Sequence, residues 1–221
     1  LSITNQRETF VIFDAKSGKP LNNAIVWQCR RGQIICDKIN KSKKAVNLIK
    51  STTGLTLDTY FPASKLLQLL KVNRSIREKL KNGTALFGTI DTYLIYRLTN
   101  QQSYFTDFTN ASRTLLFNIH DLSWDDDLLE ILDIPRSILP RVCSSSEIYG
   151  KSAKRWMGAE IPIGGIAGDQ HAAVGGGCRL QQGDDRGLDE RRRVPDARVQ
   201  HRVFPQTHDA RRDLRCAISP S

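Results

Sequence analysis

An apolar run that ends abruptly in a glycine and an acid constrains this chain more than any other feature. Glu160 to Ala167 (EIPIGGIA) has the length and composition of a buried strand, and Gly168, Asp169 and Gln170 follow it at once. An acid in this place is either the N-cap of a following helix or a carboxylate held at the end of a buried strand for chemistry. Spacing alone leaves both interpretations open.

Strand and helix patterns alternate through the rest of the chain. Thr9–Phe13 (TFVIF) and Asn23–Trp27 (NAIVW) are rich in β-branched and aromatic residues, and the turn-forming residues 16–20 lie between them, which predicts a β-hairpin. Such alternation indicates an α/β or mixed α+β fold. Helices are predicted around Ile34–Ile39, Lys65–Leu70, Ile76–Leu80 and Thr89–Leu98.

Three consecutive acids, Asp125 to Asp127, precede the apolar residues 128–132. Acids at the positive end of a helix dipole are stabilising, so the pattern predicts a helix that begins there. Metal binding by the three carboxylates is the alternative interpretation.

Composition narrows the class of protein. The chain has 221 residues, 39 % of them hydrophobic, which is enough to bury a core, and no apolar run approaches the ~20 residues of a membrane span. No signal-peptide pattern opens the chain, and its start at Leu1 leads us to expect a missing N-terminal segment. The five cysteines show no C-x-x-C pair, so we expect reduced thiols in a cytoplasmic protein and no zinc site. They are Cys29, Cys36, Cys143, Cys178 and Cys216.

The last 43 residues differ from everything before them. They contain ten Arg and no Lys, with seven acids among them, and lack apolar periodicity. A solvated disordered tail, an RNA-binding arm and a shifted reading frame are the three interpretations. We favour the shifted frame, because the change in residue usage is abrupt. We therefore do not take the net charge of +10 as a sign of nucleic-acid binding.

Four short polar stretches can form one site. They supply a cation beside a carboxylate, an indole at a strand end, a phenol in a loop, and an acid followed by an amide. Together these groups suit a small polyhydroxylated molecule, although each has an ordinary structural explanation as a surface pair, a core residue, a packing residue or a cap. The residues are Arg7, Glu8, Trp27, Tyr60, Asp169 and Gln170.

These residues lie within a series of longer motifs that occur in a fixed order along the chain. They run from about residue 2 to about residue 174 and are similar to the FGGY carbohydrate kinases. The stretches NQRE and NAIVWQCRR resemble the members of the family that act on glycerol rather than those that act on pentuloses or gluconate. The other motifs are TTGLTLDTYF, LFGTIDTYLIYRLT, TDFTNASRTLLFNI, WDDDLLEILDIPRSILP, SSEIYG and EIPIGGIAGDQHAA.

The resemblance implies an α/β fold, actin-like and RNase H-like, with a catalytic cleft between two domains. It implies ATP-dependent phosphorylation of glycerol to sn-glycerol 3-phosphate. Asp169 would be the catalytic general base, with Gln170 beside it, and Trp27 would pack on the carbons of glycerol. The other residues that would hydrogen-bond glycerol are Arg7, Glu8 and Tyr60.

The chain departs from the family pattern in three places. The hairpin that embraces the ATP phosphates is absent before Leu1, Gln68 stands where the family usually has Trp, and the pattern stops after about Ala173. The glycine run 175–177 lacks the Lys and Ser/Thr of a phosphate-binding Walker loop. We therefore predict an incomplete N-terminal kinase domain over residues 1–174 and an aberrant Arg-rich tail over 175–221.

Several expectations follow from this division of the chain. ATP and Mg²⁺ would serve the intact enzyme, but we expect no cofactor or metal site in this chain and no appreciable activity. Homo-oligomer formation by the intact enzyme is left open. A non-catalytic module that binds glycerol or a partner is the alternative function.

Overall fold

The computed structural model of the chain describes residues 1–177. The predicted Arg-rich tail lies almost entirely outside these residues. The strands of the described part are β1 (Ser2–Asn5), β2 (Phe10–Asp14), β3 (Ala85–Thr89), β4 (Phe105–Asp107), β5 (Phe117–Asn118), β6 (Ser123–Trp124), β7 (Arg141–Cys143), β8 (Gly150–Lys151), β9 (Pro162–Ile163) and β10 (Gly165–Gly168). Its helices are α1 (Gln33–Ile39), α2 (Lys43–Thr53), α3 (Pro62–Val72), α4 (Arg74–Lys81), α5 (Ile90–Leu98), α6 (Phe108–Ala111), α7 (Asp126–Ile131), α8 (Lys154–Met157), α9 (Asp169–Gly177) and a 3-10 turn at Arg136–Ile138.

Strand β2 is buried on both faces, which sets the layering of the fold. Phe10 and Ile12 belong to the large core that also contains residues of α1 to α4, whereas Val11 and Phe13 pack with Tyr96 of α5. Because alternate residues of a strand point to opposite faces, helices cover β2 on both sides. Its antiparallel partner β3 completes this inner layer. The described part is therefore a mixed α/β fold, as the sequence predicts.

Two further strand pairs are parallel. Strand β1 pairs with β10 in the register Asn5 to Gly168, and β4 pairs with β7. Parallel strands need long crossover connections, and the β1–β10 pair joins the first described strand to the last. The two remaining pairs, β5–β6 and β8–β9, are short and antiparallel.

The helices predicted from apolar spacing are confirmed as α1, α3, α4 and α5. Helix α2 was not predicted, although the residues that favour its two ends are present in the sequence. Ser42 caps its N-terminus by accepting from the backbone N–H of Ala45 at 3.3 Å, and Gly54 ends it with a φ of 68°. These are the residue types that favour helix ends.

The predicted hairpin is wrong in its second arm. Thr9–Phe13 overlaps β2, but residues 23–27 form no strand, and only Ile25 exchanges backbone hydrogen bonds with Phe10, at 2.9 and 3.2 Å. Pro20 forms a second isolated bridge to Phe13. Proline has no N–H to donate, so a continuous ladder cannot run along this edge of β2.

The predicted strand over residues 160–167 is split in two. Strand β9 pairs with β8, whereas β10 pairs with β1. Between them the backbone N–H of Gly164 donates to the carbonyl of Leu1 at 3.0 Å. The segment changes its neighbouring strand at Gly164. The apolar composition of residues 160–167 does not indicate such a change.

The triple acid begins helix α7, as predicted. Asp125 is the N-cap, and its carboxylate accepts from the backbone N–H of Leu128 at 2.9 Å. Asp126 forms an ion pair with Arg136. Among the described residues no group of three His, Cys, Asp or Glu side chains could hold a metal ion, so the alternative of metal binding here finds no support.

We expect Asp125→Ala to lower the free energy of unfolding by about 1 kcal/mol, because it removes the cap of α7. Urea denaturation followed by circular dichroism measures the change. Asp127→Ala is the matched control: it removes an acid from the same turn but no capping bond, and we expect it to cost less than about 0.5 kcal/mol. Equal losses in the two variants would contradict the capping role.

Candidate active site

The parallel pairing of β1 and β10 brings two distant polar segments to one sheet edge. Asn5 ends β1 opposite Gly168, which ends β10. The next residues of each strand therefore meet: Arg7 and Glu8 after β1, and Asp169 and Gln170 after β10. They lie more than 160 positions apart in the chain, and parallel strands place their carboxyl ends at the same edge.

Gly168 leaves space for the side chain of Arg7. A Cβ atom at residue 168 would lie 2.5 Å from Cγ of Arg7 and closer still to Cδ. The backbone N–H of Gly168 donates to Oγ1 of Thr109 at 2.8 Å, which fixes the end of β10. The glycine at the end of the apolar run is thus required by the close approach of a buried arginine.

Arg7 contacts more of the candidate site residues than any other side chain in the described part of the chain. Its side chain is 5 % exposed, and Nη2 donates to Oε1 of Gln170 at 2.6 Å. Nη1 lies 3.4 Å from Nδ1 of His171, and Nε lies 3.7 Å from Oδ1 of Asp169. Burial and the nearby guanidinium lower the pKa of His171, which favours the neutral imidazole.

Glu8 is buried beside Arg7 and pairs with a second arginine. Arg113 Nε donates to Glu8 Oε1 at 2.8 Å, and Arg7 Nη2 lies 4.0 Å from the same oxygen. Because both cations contact Oε1, Oε2 can accept a bond from a ligand hydroxyl. The guanidinium of Arg113 also lies over the rings of Phe61 and Tyr60, at 4.9 and 5.9 Å.

Two aromatic residues complete the face. The ring centroids of Trp27 and Tyr60 are 5.4 Å apart, and the Trp27 side chain is exposed. Burial raises the pKa of the Tyr60 phenol, and the charge of Glu8 raises it further, so the hydroxyl keeps its proton and can donate. An exposed indole beside a phenol offers an apolar surface to the carbons of a small polyol.

The six residues predicted from the sequence therefore form one chain of contacts. Trp27 contacts Tyr60, Arg113 joins Tyr60 to Glu8, and Arg7 joins Glu8 to the segment that follows β10. Asp169 is the exposed member: 55 % of its side chain is accessible, and its Oδ1 accepts from the backbone N–H of Gln170 at 2.9 Å. The structure brings these residues together, and their roles toward a substrate stay predictions.

Arg113 is a member that the sequence reasoning missed. It lies 105 positions from its partner Glu8, and the segment that carries it was noted only as part of a longer motif. No local pattern distinguishes this arginine from a surface one. Only the three-dimensional pairing reveals it.

A network of buried hydrogen bonds fixes the ends of β1 and β10, which carry the site. Asp107 accepts from Oγ1 of Thr109 and from Oγ of Ser145, both at 2.7 Å, and thereby holds the residue that binds Gly168. Asn5 donates to Asn110 at 3.0 Å and to Asp91 at 3.3 Å. Buried polar groups that are paired in this way rigidify the segments they join.

The nucleotide and the metal ion that the resemblance implies are not assigned to any of the described residues. No group of three acidic, His or Cys side chains could hold Mg²⁺ in the part of the chain that the structure covers. The glycine run 175–177 forms the C-terminal end of α9, whereas phosphates bind at helix N-termini. The residues that would hold ATP and Mg²⁺ in the intact enzyme stay a prediction, and we derive no step through these groups. No helix of this part is long and apolar enough to cross a membrane.

The mixed α/β fold with this polar sheet edge is that of an actin-like kinase domain. The crystal structure of Plasmodium falciparum glycerol kinase with ADP superposes with a TM-score of 0.73 at 41 % identity, over 78 % of this chain and 34 % of that one. Residues 1–176 match the N-terminal domain of the FGGY family of carbohydrate kinases. The chain belongs to this family.

Curated relatives agree with this assignment. Glycerol kinase 2 of Thermotoga maritima is 51 % identical over 183 residues, which are 83 % of this chain and 37 % of that protein. The glycerol kinase of Thermococcus onnurineus is 54 % identical, over 83 % of this chain and 36 % of that protein. The chain thus spans little more than a third of the length of these relatives.

We expect Gly168→Ala to displace Arg7, since the new methyl group occupies the place of the arginine side chain, and to weaken the glycerol binding proposed for this sheet edge at least about tenfold. Titration calorimetry with glycerol measures the change. Gly164→Ala is the matched control, because a Cβ there has an ordinary contact of 3.5 Å with Ile148. Equal affinity in wild type and Gly168→Ala would show that the packing of Arg7 on residue 168 is not required.

The buried carboxyl group of Asp91 should make the stability of the protein depend on pH. Burial raises its pKa from 3.8 to about 6. Between these values the folded protein holds a proton on Asp91 that the unfolded chain has lost, so the contribution of Asp91 to stability falls as pH rises from about 4 to about 6, by at most about 1.4 kcal/mol per pH unit. The lowered pKa values of Asp14 and His171 act in the opposite direction. We expect Asp91→Asn to remove the contribution of Asp91, so that stability increases more steeply with pH than in the wild type.

Urea denaturation at several pH values tests this expectation. The hydroxyl of Thr106, which donates to Asp91 Oδ2 at 2.7 Å, can instead accept from the new amide, so the variant should fold. Asp37→Asn, on the exposed surface of α1, is the control and should keep the wild-type slope. An unchanged slope in Asp91→Asn would contradict the contribution of Asp91.

Proposed function

We propose that the described residues bind glycerol and that the protein is by function an ATP-dependent glycerol kinase that forms sn-glycerol 3-phosphate. One observation carries this proposal. The Nε–H of Arg7 is buried and donates to no acceptor within the described part of the chain. Buried donors are nearly always paired, so this one is in place for a ligand oxygen.

The position of that donor suits a hydroxyl group. Arg7 Nε lies 3.7 Å from Asp169 Oδ1, too far for a hydrogen bond between them. A hydroxyl oxygen that accepts from Nε and donates to Asp169 would satisfy both groups. The side chain of Asp169 is more than half exposed, so it can move to admit such a hydroxyl.

The neighbouring residues would hold the remaining hydroxyls and the carbons. Glu8 would accept through Oε2, Gln170 and Tyr60 would provide further hydrogen bonds, and Trp27 would cover the carbon chain. A site that pairs every hydroxyl discriminates against analogues that lack one, because its own polar groups are then left unpaired. The names of the relatives support glycerol as the polyol.

Asp169 is the proposed general base. It would accept the proton of a primary hydroxyl as that oxygen becomes the nucleophile, and Arg7 would hold the carboxylate and the hydroxyl in place. The nucleotide and Mg²⁺ expected for the family enzyme would have to be held by residues outside the described part. We therefore propose that this chain by itself binds glycerol without transferring phosphate.

A non-catalytic glycerol-binding module is the second candidate function. The buried and unpaired Nε–H of Arg7 suits the binding of a polyol hydroxyl, and such binding requires no phosphate transfer. This observation therefore supports a binding module as well as part of a kinase. Binding of another partner, oligomer formation by the intact enzyme, absence of nucleic-acid binding and a cytoplasmic location stay predictions.

We expect Asp169 to be essential for transfer but not for binding. Residues 1–174 can be fused to the complementary parts of Thermotoga maritima glycerol kinase 2, and ATP-dependent formation of glycerol phosphate measured. Asp169→Asn in this chimera should lower kcat by about 10²–10⁴-fold, the usual contribution of a general base.

Two controls accompany this experiment. Asp127→Asn changes an acid of α7 that takes no part in the site, and we expect it to leave kcat unchanged. Titration of the unfused chain with glycerol should show that Asp169→Asn still binds. An Asp169→Asn chimera with full activity would disprove the general base, and a chain that binds glycerol beside an inactive wild-type chimera would favour the module.

A further inference from the structure

Lys65 is a buried cation that the proposed mechanism does not use. It lies near the N-terminal end of α3, and its side chain is inaccessible to solvent. Its ammonium donates to three backbone carbonyls, those of Tyr60 at 2.7 Å, Val26 at 3.3 Å and Trp27 at 3.4 Å. An ammonium has three N–H donors, and these bonds use all of them.

A lysine in this place opposes two physical preferences. Burial of an ammonium among apolar side chains is unfavourable unless it is fully hydrogen-bonded, and a cation near a helix N-terminus faces the positive end of the dipole. The pKa of Lys65 is lowered to about 8, because the effect of burial exceeds the opposing effect of the nearby Cys29, Glu8 and Asp58. Such a residue needs a compensating interaction, and its three carbonyl partners provide it.

The three carbonyls belong to the segments that carry the aromatic face. Val26 and Trp27 precede α1, whereas Tyr60 lies in the loop before α3, 33 positions further along the chain. Within the described part no strand ladder links these two segments. The ammonium therefore joins the backbone of Trp27 to that of Tyr60, and the two rings lie 5.4 Å apart.

We propose that Lys65 is a positioning residue of the polyol site: its ammonium holds the Trp27 and Tyr60 segments together and so sets the aromatic face against which glycerol packs. This inference rests on the proposed glycerol binding. Through Tyr60 it also reaches Arg113, which lies over the phenol ring and pairs with Glu8. Lys65 itself contacts backbone only and would not touch the substrate.

Lys65→Met tests the proposal, because methionine has a similar length but no charge and no donor. We expect the dissociation constant for glycerol, measured on the full chain by titration calorimetry at low temperature, to rise at least about tenfold. Nuclear Overhauser contacts between the rings of Trp27 and Tyr60 should weaken. Lys71→Met, on the exposed side of the same helix, is the matched control and should change neither quantity.

The wild-type chain provides a second test that does not depend on the folding of a variant. As pH rises through about 8, Lys65 loses its proton, and a neutral amine can donate to only two of the three carbonyls. We expect glycerol affinity and the ring contacts to fall together between about pH 7 and 9.5. Lys65→Arg keeps its charge over this range, so its affinity should stay constant.

The pH experiment must distinguish Lys65 from the other titratable groups around it. The charged side chains around the ammonium are those of Glu8, Asp58 and Arg31, and burial raises the pKa of the Tyr60 phenol from its ordinary value of 10. A thiol is a further titratable group beside Lys65, so the pH series is repeated in Cys29→Ser, in which the loss of affinity should persist.

Each outcome bears on one proposal. Glycerol affinity in folded Lys65→Met within about twofold of wild type, or an affinity and ring contacts that stay flat with pH, would overturn the positioning role. A wild-type chain that binds no glycerol would contradict the proposed function instead. In that case the ring contacts alone decide on Lys65: their loss in Lys65→Met or at high pH supports the clamp, and their persistence overturns it.

Discussion

The packing of Arg7 against the bare backbone of Gly168 is the contact on which the site depends. It exists because β1 and β10 pair in parallel and end together, and because residue 168 has no Cβ. From this position Arg7 reaches Gln170, His171 and Asp169 on one side and Glu8 on the other. A larger residue at 168 would separate the carboxyl ends of the two strands at the one place where their polar residues meet.

The site is a series of alternating charges that ends in a solvent-exposed carboxylate. Asp169, Arg7, Glu8 and Arg113 follow one another, so that the buried charges are paired with opposite ones. Breaking such a buried pair leaves an uncompensated charge and is strongly destabilising, which keeps the arrangement fixed before a ligand arrives. The exposed end at Asp169 and the unpaired N–H of Arg7 are where this order leaves polar groups for a hydroxyl.

Local patterns predicted the elements of this fold better than their pairing. Helices α3, α4 and α5 were predicted from apolar spacing and the start of α7 from its three acids, because these signals lie within one turn or two. The second arm of the hairpin and the unbroken strand over 160–167 were wrong, since Pro20 and Gly164 mark changes of partner that depend on distant segments. Strand β1 and the β1–β10 pair were missed for the same reason.

The candidate site shows the same division. Its six residues were grouped from their chemistry, which left each of them an ordinary alternative, and the resemblance to a family then gave them roles. Arg113 and Lys65 were not proposed, because Glu8 lies 105 positions from Arg113 and Trp27 lies 38 positions from Lys65, and no local pattern indicates either contact. The Arg-rich tail and its proposed shift of reading frame lie outside the described residues, and that interpretation stays a prediction.

The central claim is that this sheet edge binds a polyol through the orphaned donor of Arg7. A titration of the isotope-labelled chain with glycerol, followed by nuclear magnetic resonance of arginine Nε–H and tryptophan indole N–H groups, tests it most directly. We predict that the Nε–H signal of Arg7 and the indole signal of Trp27 shift together and saturate, whereas the indole of the buried Trp124 does not respond. Unchanged signals from Arg7 and Trp27 at saturating glycerol would contradict it.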